Sequence, residues 1–214
     1  MFGFAAYYKA FRRRGPARDG VMFAAMKTTG IYCRQICPAR TPLASCKSIG
    51  AIADREEQMP EKTYGTVGDE QRKAMSGLEF VRGLADGTLP LNSIARTLGY
   101  DVTEASNGRV IVAAMPNDTH LNPAGTVHGG FAATLLDSCM GLAIWSTLDK
   151  GFAQTTLEFK ISLVRPITPA TGLIQAEGIV LNRGRRVGTA EGRITDQRGR
   201  LLAHGTTTCL IFDN

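Results

Sequence analysis

The 214-residue chain contains no uninterrupted apolar run of roughly 20 residues, so no membrane-spanning helix is expected. It also lacks the order of an export signal. The opening MFGFAAYYKAFRRRG sets its basic cluster after the apolar stretch, the reverse of a secretory leader. Cysteines are few and odd in number (Cys33, Cys37, Cys46, Cys139 and Cys209), which excludes a disulfide scaffold and points to free thiols in a reducing cytoplasm. No internal repeat is visible, and the composition is not collagen-like. What is present is a hydrophobic fraction of 43%, sufficient for a core and against wholesale disorder.

Charge is unevenly placed. Residues 1–62 hold 11 Lys+Arg and 5 Asp+Glu, whereas residues 63–214 hold 14 of each, so the whole excess of +6 lies in the first third. A basic balance suggests nucleic acid, but here the suggestion applies to that segment alone. The stretch Asp54 to Lys62 (DREEQMPEK) is polar and linker-like. These features divide the chain into an N-terminal extension, 1–62, and a domain, 63–214.

A helix is expected from about Asp69, with Met75, Leu78, Val81, Leu84 and Ala85 forming one apolar stripe until Gly87 and Pro90 stop it. Asn92 can cap a short helix ending at Gly99. Residues 109–115 read as a buried strand closed by Pro116, and 129–148 as a helix apolar nearly all round, hence buried. Four strands follow, at 156–163, 173–181, 187–195 and 201–212. In the first, Thr156, Glu158, Lys160 and Ser162 alternate with Leu157, Phe159, Ile161 and Leu163, which predicts one wet and one buried face. In the third, Gly188, Ala190, Gly192 and Ile194 form a small-residue face that invites close packing of the helix. The pattern predicts an α+β fold, an antiparallel sheet of five or six strands around one long helix. A short helical lead-in and a poorly structured N-terminal extension precede it. One helix cannot cover both faces of such a sheet, so a second copy of the chain is expected to complete the burial.

The chemistry is concentrated in Asn122-Pro123-Ala124-Gly125-Thr126-Val127-His128-Gly129-Gly130 and the helix that follows. Gly129 and Gly130 sit where loop becomes helix. Without Cβ atoms they let a ligand approach the unpaired N–H groups of the first turn, at the positive end of the helix dipole. Asp137 is the only charged residue from His120 to Leu148 apart from the histidines themselves. A carboxylate on a buried apolar helix is costly unless solvated, paired or used.

NPAGTVHGGFAATLLD, TTLEFKISLVRPI and NRGRRVGTAEGRITDQRGRLLAHGTTT resemble the hotdog-fold thioesterases of the phenylacetate-pathway, PaaI-like group, over about residues 72–212. The resemblance implies hydrolysis of an acyl- or aryl-coenzyme A thioester at a dimer interface, with coenzyme A as part of the substrate and no separate cofactor or metal. It implies that the N–H of Gly129, with that of Gly130 as a second candidate, polarises the carbonyl. Asp137 from the partner subunit would be nucleophile or general base, Asn122 would position water or substrate, and His128 would orient the carbonyl end. A strand hydroxyl is implied as well: Thr156 matches best, with Thr155 adjacent, and alternation puts Thr156 on the polar face. Arg183, Gly184, Arg185 and Arg186 correspond to a contact region for the coenzyme A phosphates, which the planar guanidinium suits. A homodimer or homotetramer in the cytoplasm, with no membrane or nucleic-acid partner, is the expected setting. Cys139, Cys209, Trp145 and His204 read as structural.

A second resemblance lies at DGVMFAAMKTTGIYCRQICPARTP, which is similar to the start of the Ada-type metal domain that repairs methylated phosphotriesters in DNA. That family joins two such cysteines to a later C-x-x-C pair on zinc. Here only Cys46 follows Cys33 and Cys37 and the segment has no histidine, so a tetrahedral site is one ligand short. The segment therefore reads as a degenerate fragment. Two alternatives to hydrolysis stay open at this level: a non-catalytic acyl-coenzyme A sensor, and a zinc-dependent DNA-repair or regulatory protein.

Overall fold

Lead-in helices cover one end of the domain. The computed structural model describes residues 62–213 and, for the backbone alone, two short strands, β1 (Phe23–Met26) and β2 (Ile31–Arg34), paired antiparallel. The expectations for residues 1–62, including the zinc reading of Cys33, Cys37 and Cys46, otherwise fall outside the described residues. Backbone contacts divide the chain into Met1–Met59 and Pro60–Asn214.

The helix expected from Asp69 is two helices, α1 (Asp69–Ala74) and α2 (Gly77–Asp86). Ser76 is the reason. Its hydroxyl accepts the Glu79 N–H at 3.3 Å while the Glu79 carboxylate accepts the Ser76 N–H at 2.8 Å, a reciprocal cap that starts a new helix. The predicted stripe survives within α2, which buries Phe80, Val81 and Leu84. Phe80 stacks on Trp145 with ring centroids 4.8 Å apart. Asn92 caps α3 (Ser93–Leu98) by accepting the Ala95 N–H at 3.1 Å.

Six strands form one antiparallel sheet: β3 (Tyr100–Ser106), β4 (Arg109–Ala114), β5 (Phe152–Leu163), β6 (Ile174–Arg183), β7 (Val187–Asp196) and β8 (Leu201–Asp213). Their spatial order is β3-β4-β6-β7-β8-β5, so β3 and β5 are the edges. The sheet wraps around α4 (Gly129–Trp145), the hotdog arrangement expected from the sequence. On α4, Leu135, Leu136, Met140 and Ile144 are wholly buried. Each stabilises the fold by roughly 1.5–3 kcal/mol through removal of apolar surface from water.

The helix can lie this close because the facing strands carry little side chain. A Cβ on Gly178 of β6 would stand 2.4 Å from the backbone carbonyl of Cys139, and one on Gly192 of β7 would meet Met140 Cγ at 2.9 Å. The small-residue face read from 187–195 is thus the helix seat, with Ala190 and Ile194 fully buried in it.

β5 departs from its expected alternation. The register shifts between Thr156 and Glu158, leaving Leu157 as the extra residue of a bulge. Thr207 Oγ1 donates to Glu158 O at 2.9 Å there. Beyond the shift Phe159, Ile161 and Leu163 pair with Thr207, Gly205 and Ala203, the buried row of β8. Before it Thr156 pairs with Cys209 of the same row. Thr156 therefore faces the helix together with the apolar residues, not with Glu158 and Lys160 on the outer face. Because β5 is an edge, its apolar row is incompletely covered, with Phe159 40% and Leu163 57% exposed.

Before α4 the chain makes a compact loop. His120 is buried, stacks on Phe131 with centroids 4.3 Å apart, and accepts the Asn117 N–H at Nδ1 at 3.1 Å. Burial holds its pKa below the ordinary 6.5.

Two outcomes are expected. Gly178→Ala destabilises the domain by about 2–3 kcal/mol, because the obstructing atoms are backbone, whereas Gly192→Ala costs about 1 kcal/mol since the flexible Met140 yields. Urea unfolding measures both, and equal losses would contradict this account of the helix seat. For His120, the unfolded chain takes up the imidazole proton first as pH falls below about 6.5. Its contribution is therefore complete above that pH and is lost on acidification. His120→Gln should shrink the difference in urea midpoint between pH 7 and pH 5; an unchanged difference would refute the assignment.

Candidate active site

Residues 120–130 fold into a loop that aims the start of α4 at solvent. The His128 N–H donates to His120 O at 2.8 Å, and the Val127 N–H to Ile167 O at 2.9 Å. Asn122 holds the tip, its Oδ1 accepting from the Ala124 and Thr126 N–H groups at 2.9 and 3.2 Å and its Nδ2 donating to Thr126 Oγ1 at 2.8 Å. The Asn122 amide is thus engaged in shaping its own loop.

His128 caps α4. Its Nδ1 accepts the Gly130 N–H at 2.9 Å, so that N–H is already used. Phe131 N–H donates to His128 O at 2.9 Å. The Gly129 N–H has no acceptor among the described residues, and it stands at the positive helix end. A cavity of about 250 Å³ opens there, lined by Asn122, Thr126, His128, Gly129, Leu163 and Arg165 among others. A Cβ on Gly129 would meet Leu163 Cδ1 at 2.8 Å. The geometry offers one N–H, that of Gly129, to an oxygen carrying negative charge.

Asp137 is half-buried on the side of α4 that faces β5, and its Oδ1 accepts a hydrogen bond from Thr156 Oγ1 at 2.9 Å. The bulge in β5 makes this contact possible. Thr155 pairs with Leu210, is exposed and lies on the other face, so the structure does not bring it to Asp137. Cys209 Sγ lies 3.9 Å from Thr156 Oγ1. Burial raises the thiol pKa of both Cys209 and Cys139, which keeps them protonated and unreactive.

Gly129 and Asp137 are eight residues apart on one helix, a separation of about 12 Å along its axis. One carbonyl group cannot touch both within a single chain.

The arginine turn connects β6 and β7 and is closed by the Gly184 N–H donating to Val187 O at 2.9 Å. Arg183, Arg185 and Arg186 line a cavity of about 460 Å³ with Phe152, Asp149 and Asp213. Arg183 Nη1 also donates to Gly184 O at 2.9 Å. It lies beside the C-terminal end of α4, since a Cβ on the neighbouring Gly188 would stand 2.8 Å from Ile144 Cγ2. His204 is exposed on the outer face. Among the described residues no group of three His, Cys, Asp or Glu side chains is placed to hold a metal, and no helix is long and apolar enough to cross a membrane.

Sequence reasoning missed two residues near this site. His120 supplies the carbonyl that anchors His128, and the only advance signal was its place just before the Asn122 loop. Gln154 lies on β5 ahead of the strand start read from the sequence, and its Nε2 donates to Gly141 O at 3.2 Å.

Comparison with known proteins places the chain. The thioesterase superfamily model matches residues 124–203, and the metal-binding domain of Ada matches residues 6–49. A provisionally named esterase of Halobacterium salinarum is 39% identical over 99 residues, 44% of this chain; the match spans 64% of that protein, less than two thirds of its length. One from Saccharolobus solfataricus is 30% identical over 52% of this chain and 78% of its own. Human acyl-coenzyme A thioesterase 13 is 28% identical over 53% of this chain and 81% of its own. Among solved structures, a phenylacetic acid degradation-related protein from Ralstonia eutropha, described as a thioesterase by inference, is 28% identical with a TM-score of 0.56, over 61% of this chain and 98% of that one. A hotdog sheet around one helix, an aspartate at its middle and a free N–H at its start are joined by these likenesses: the chain belongs to the thioesterase superfamily.

Proposed function

We propose that this chain hydrolyses acyl- or aryl-coenzyme A thioesters to the free acid and coenzyme A, at a site shared by two copies. The observation that carries the proposal is the pair of half-sites on one helix. Gly129 offers an unused N–H, Asp137 is held by Thr156, and about 12 Å of helix separates them. A second copy laid along the free edge of β5 brings the Gly129 of one chain to the Asp137 of the other. It also covers Leu157, Phe159, Leu163 and Val164, which are 40–57% exposed in the single chain. The likeness to human acyl-coenzyme A thioesterase 13 supports the substrate class.

At such a site the thioester oxygen lies on the Gly129 N–H. The negative charge that grows on it as the carbonyl carbon becomes tetrahedral is met by that donor and by the helix dipole. The Asp137 carboxylate either attacks the carbon or takes a proton from the water that does. Thr156 fixes the carboxylate by donating to Oδ1, which leaves Oδ2 for the reaction. The carbon–sulfur bond then breaks and coenzyme A departs as its thiol, the proton coming from water. Where Asp137 has attacked the carbon, a water then hydrolyses the acyl–aspartyl anhydride to free the acid and restore the carboxylate. The arginine turn binds the coenzyme A phosphates. Coenzyme A enters as part of the substrate, and no cofactor is called for. The same reading sets the protein in the cytoplasm, where buried thiols such as Cys139 and Cys209 stay reduced.

A panel of acyl- and aryl-coenzyme A substrates, followed by release of free thiol, tests the activity. Tight binding without thiol release would establish a sensor instead. Asp137→Asn should lower kcat at least about 10³-fold and Thr156→Val about tenfold; full activity of Asp137→Asn would refute the mechanism. The shared site has its own test. Gly129→Val and Asp137→Asn, each inactive alone, should regain about a quarter of wild-type activity when co-refolded, because mixed dimers hold one intact site. No regain in a demonstrated mixed dimer would place both groups in one chain.

A further inference from the structure

The seam between α4 and β5 holds a polar group that the proposed mechanism does not use. Gln154 lies two residues before Thr156 on the helix-facing row, pairing with buried Ile211 as Thr156 pairs with Cys209. Its Nε2 is committed to Gly141 O at 3.2 Å, while its Oε1 is buried and accepts nothing. Buried side-chain carbonyls are ordinarily paired, so an orphaned acceptor beside a reaction site points to a donor on the ligand. The residue as a whole is half-buried and on the edge strand, so turning its amide toward a bound ligand exchanges the Gly141 contact for one to that ligand.

Opposite it, α4 is bare. Gly141 is one helical turn beyond Asp137, and a Cβ there would stand 3.1 Å from Gln154 Nε2 and 4.0 Å from Thr156 Oγ1. The row on β5 therefore runs Thr156, Gln154, Phe152, and Phe152 shares its cavity with Arg183, Arg185 and Arg186. Carboxylate, amide and arginines lie in order along one seam.

We propose, on the basis of the thioesterase reading above, that Gln154 Oε1 accepts the first amide N–H of the pantetheine arm. In a coenzyme A thioester that nitrogen is four bonds from the carbonyl carbon, about 5 Å when extended. An N–H···O bond adds about 3 Å. Together they reach up to about 8 Å, enough to span the spacing of about 7 Å between residues two apart on a strand, which separates the Thr156 and Gln154 levels. The arm then continues toward the arginine cavity with its phosphates. The same acceptor would also suit a hydroxyl on the acyl group at equal distance, but the arginines lie on the Gln154 side of Asp137, which assigns this direction to the arm.

The test compares two truncated carriers of one acyl group: the N-acetylcysteamine thioester, which keeps the amide N–H, and the thioester of 2-mercaptoethyl acetate, in which an ester oxygen replaces it. Wild type should favour the amide carrier by about 10- to 100-fold in kcat/KM. Gln154→Leu should bring that ratio to about one while leaving the ester carrier near its wild-type rate, which also reports that the variant folds. A ratio near one in wild type, or an unchanged ratio in Gln154→Leu, overturns the proposal. A loss of preference between hydroxylated and plain acyl groups, with the carrier ratio intact, assigns Gln154 to the acyl side and also overturns it. Should wild type cleave no thioester, the thioesterase reading fails. The Kd values of the two non-hydrolysable thioether analogues for wild type and Gln154→Leu then decide the Gln154 contact separately.

Discussion

Everything in this domain depends on seating one nearly all-apolar helix against a sheet at backbone contact distance. α4 has no polar face to offer water, so strands must enclose it, and they come close only where β6 and β7 have glycine. That closeness locks the helix axis. Its N-terminus then projects into a loop cavity, and its middle presents Asp137 to an incompletely closed side, the β5 edge. The two proposed half-sites lie at these two openings.

A carboxylate is tolerated on such a helix because it is neither fully buried nor alone. Thr156 reaches it only because β5 carries an extra residue at Leu157. The bulge also turns Phe159, Ile161 and Leu163 inward along an edge strand, where a single chain cannot finish covering them. One irregularity thus creates both the held aspartate and the exposed apolar edge, the two features on which the proposed shared site rests.

Much of this was legible in the residues. Apolarity all round marked α4 as buried, and alternating small residues marked the strand it rests on. Gly129 before a helix with one carboxylate marked the candidate site. The failures have physical causes. β3 went unseen because YDVTEAS carries few apolar residues, being an edge strand whose pairing is supplied by β4. The lead-in was read as one helix because its stripe stays in phase across Ser76, although the side-chain cap there breaks it. Thr156 was placed with the polar row because strict alternation knows nothing of a register shift.

Sequence by itself determined the helix, most of the strands and the family, and it singled out the one carboxylate on that helix, since these follow from local periodicity and short-range motifs. Only the tertiary structure decided which threonine faces Asp137, that His128 consumes the Gly130 N–H and leaves Gly129 free, and that Gln154 keeps an unpaired carbonyl beside them. The first and the last turn on cross-strand register and on contacts between strand and helix, and the second on the rotamer that His128 takes as it caps α4; none of these leaves a trace in residue spacing.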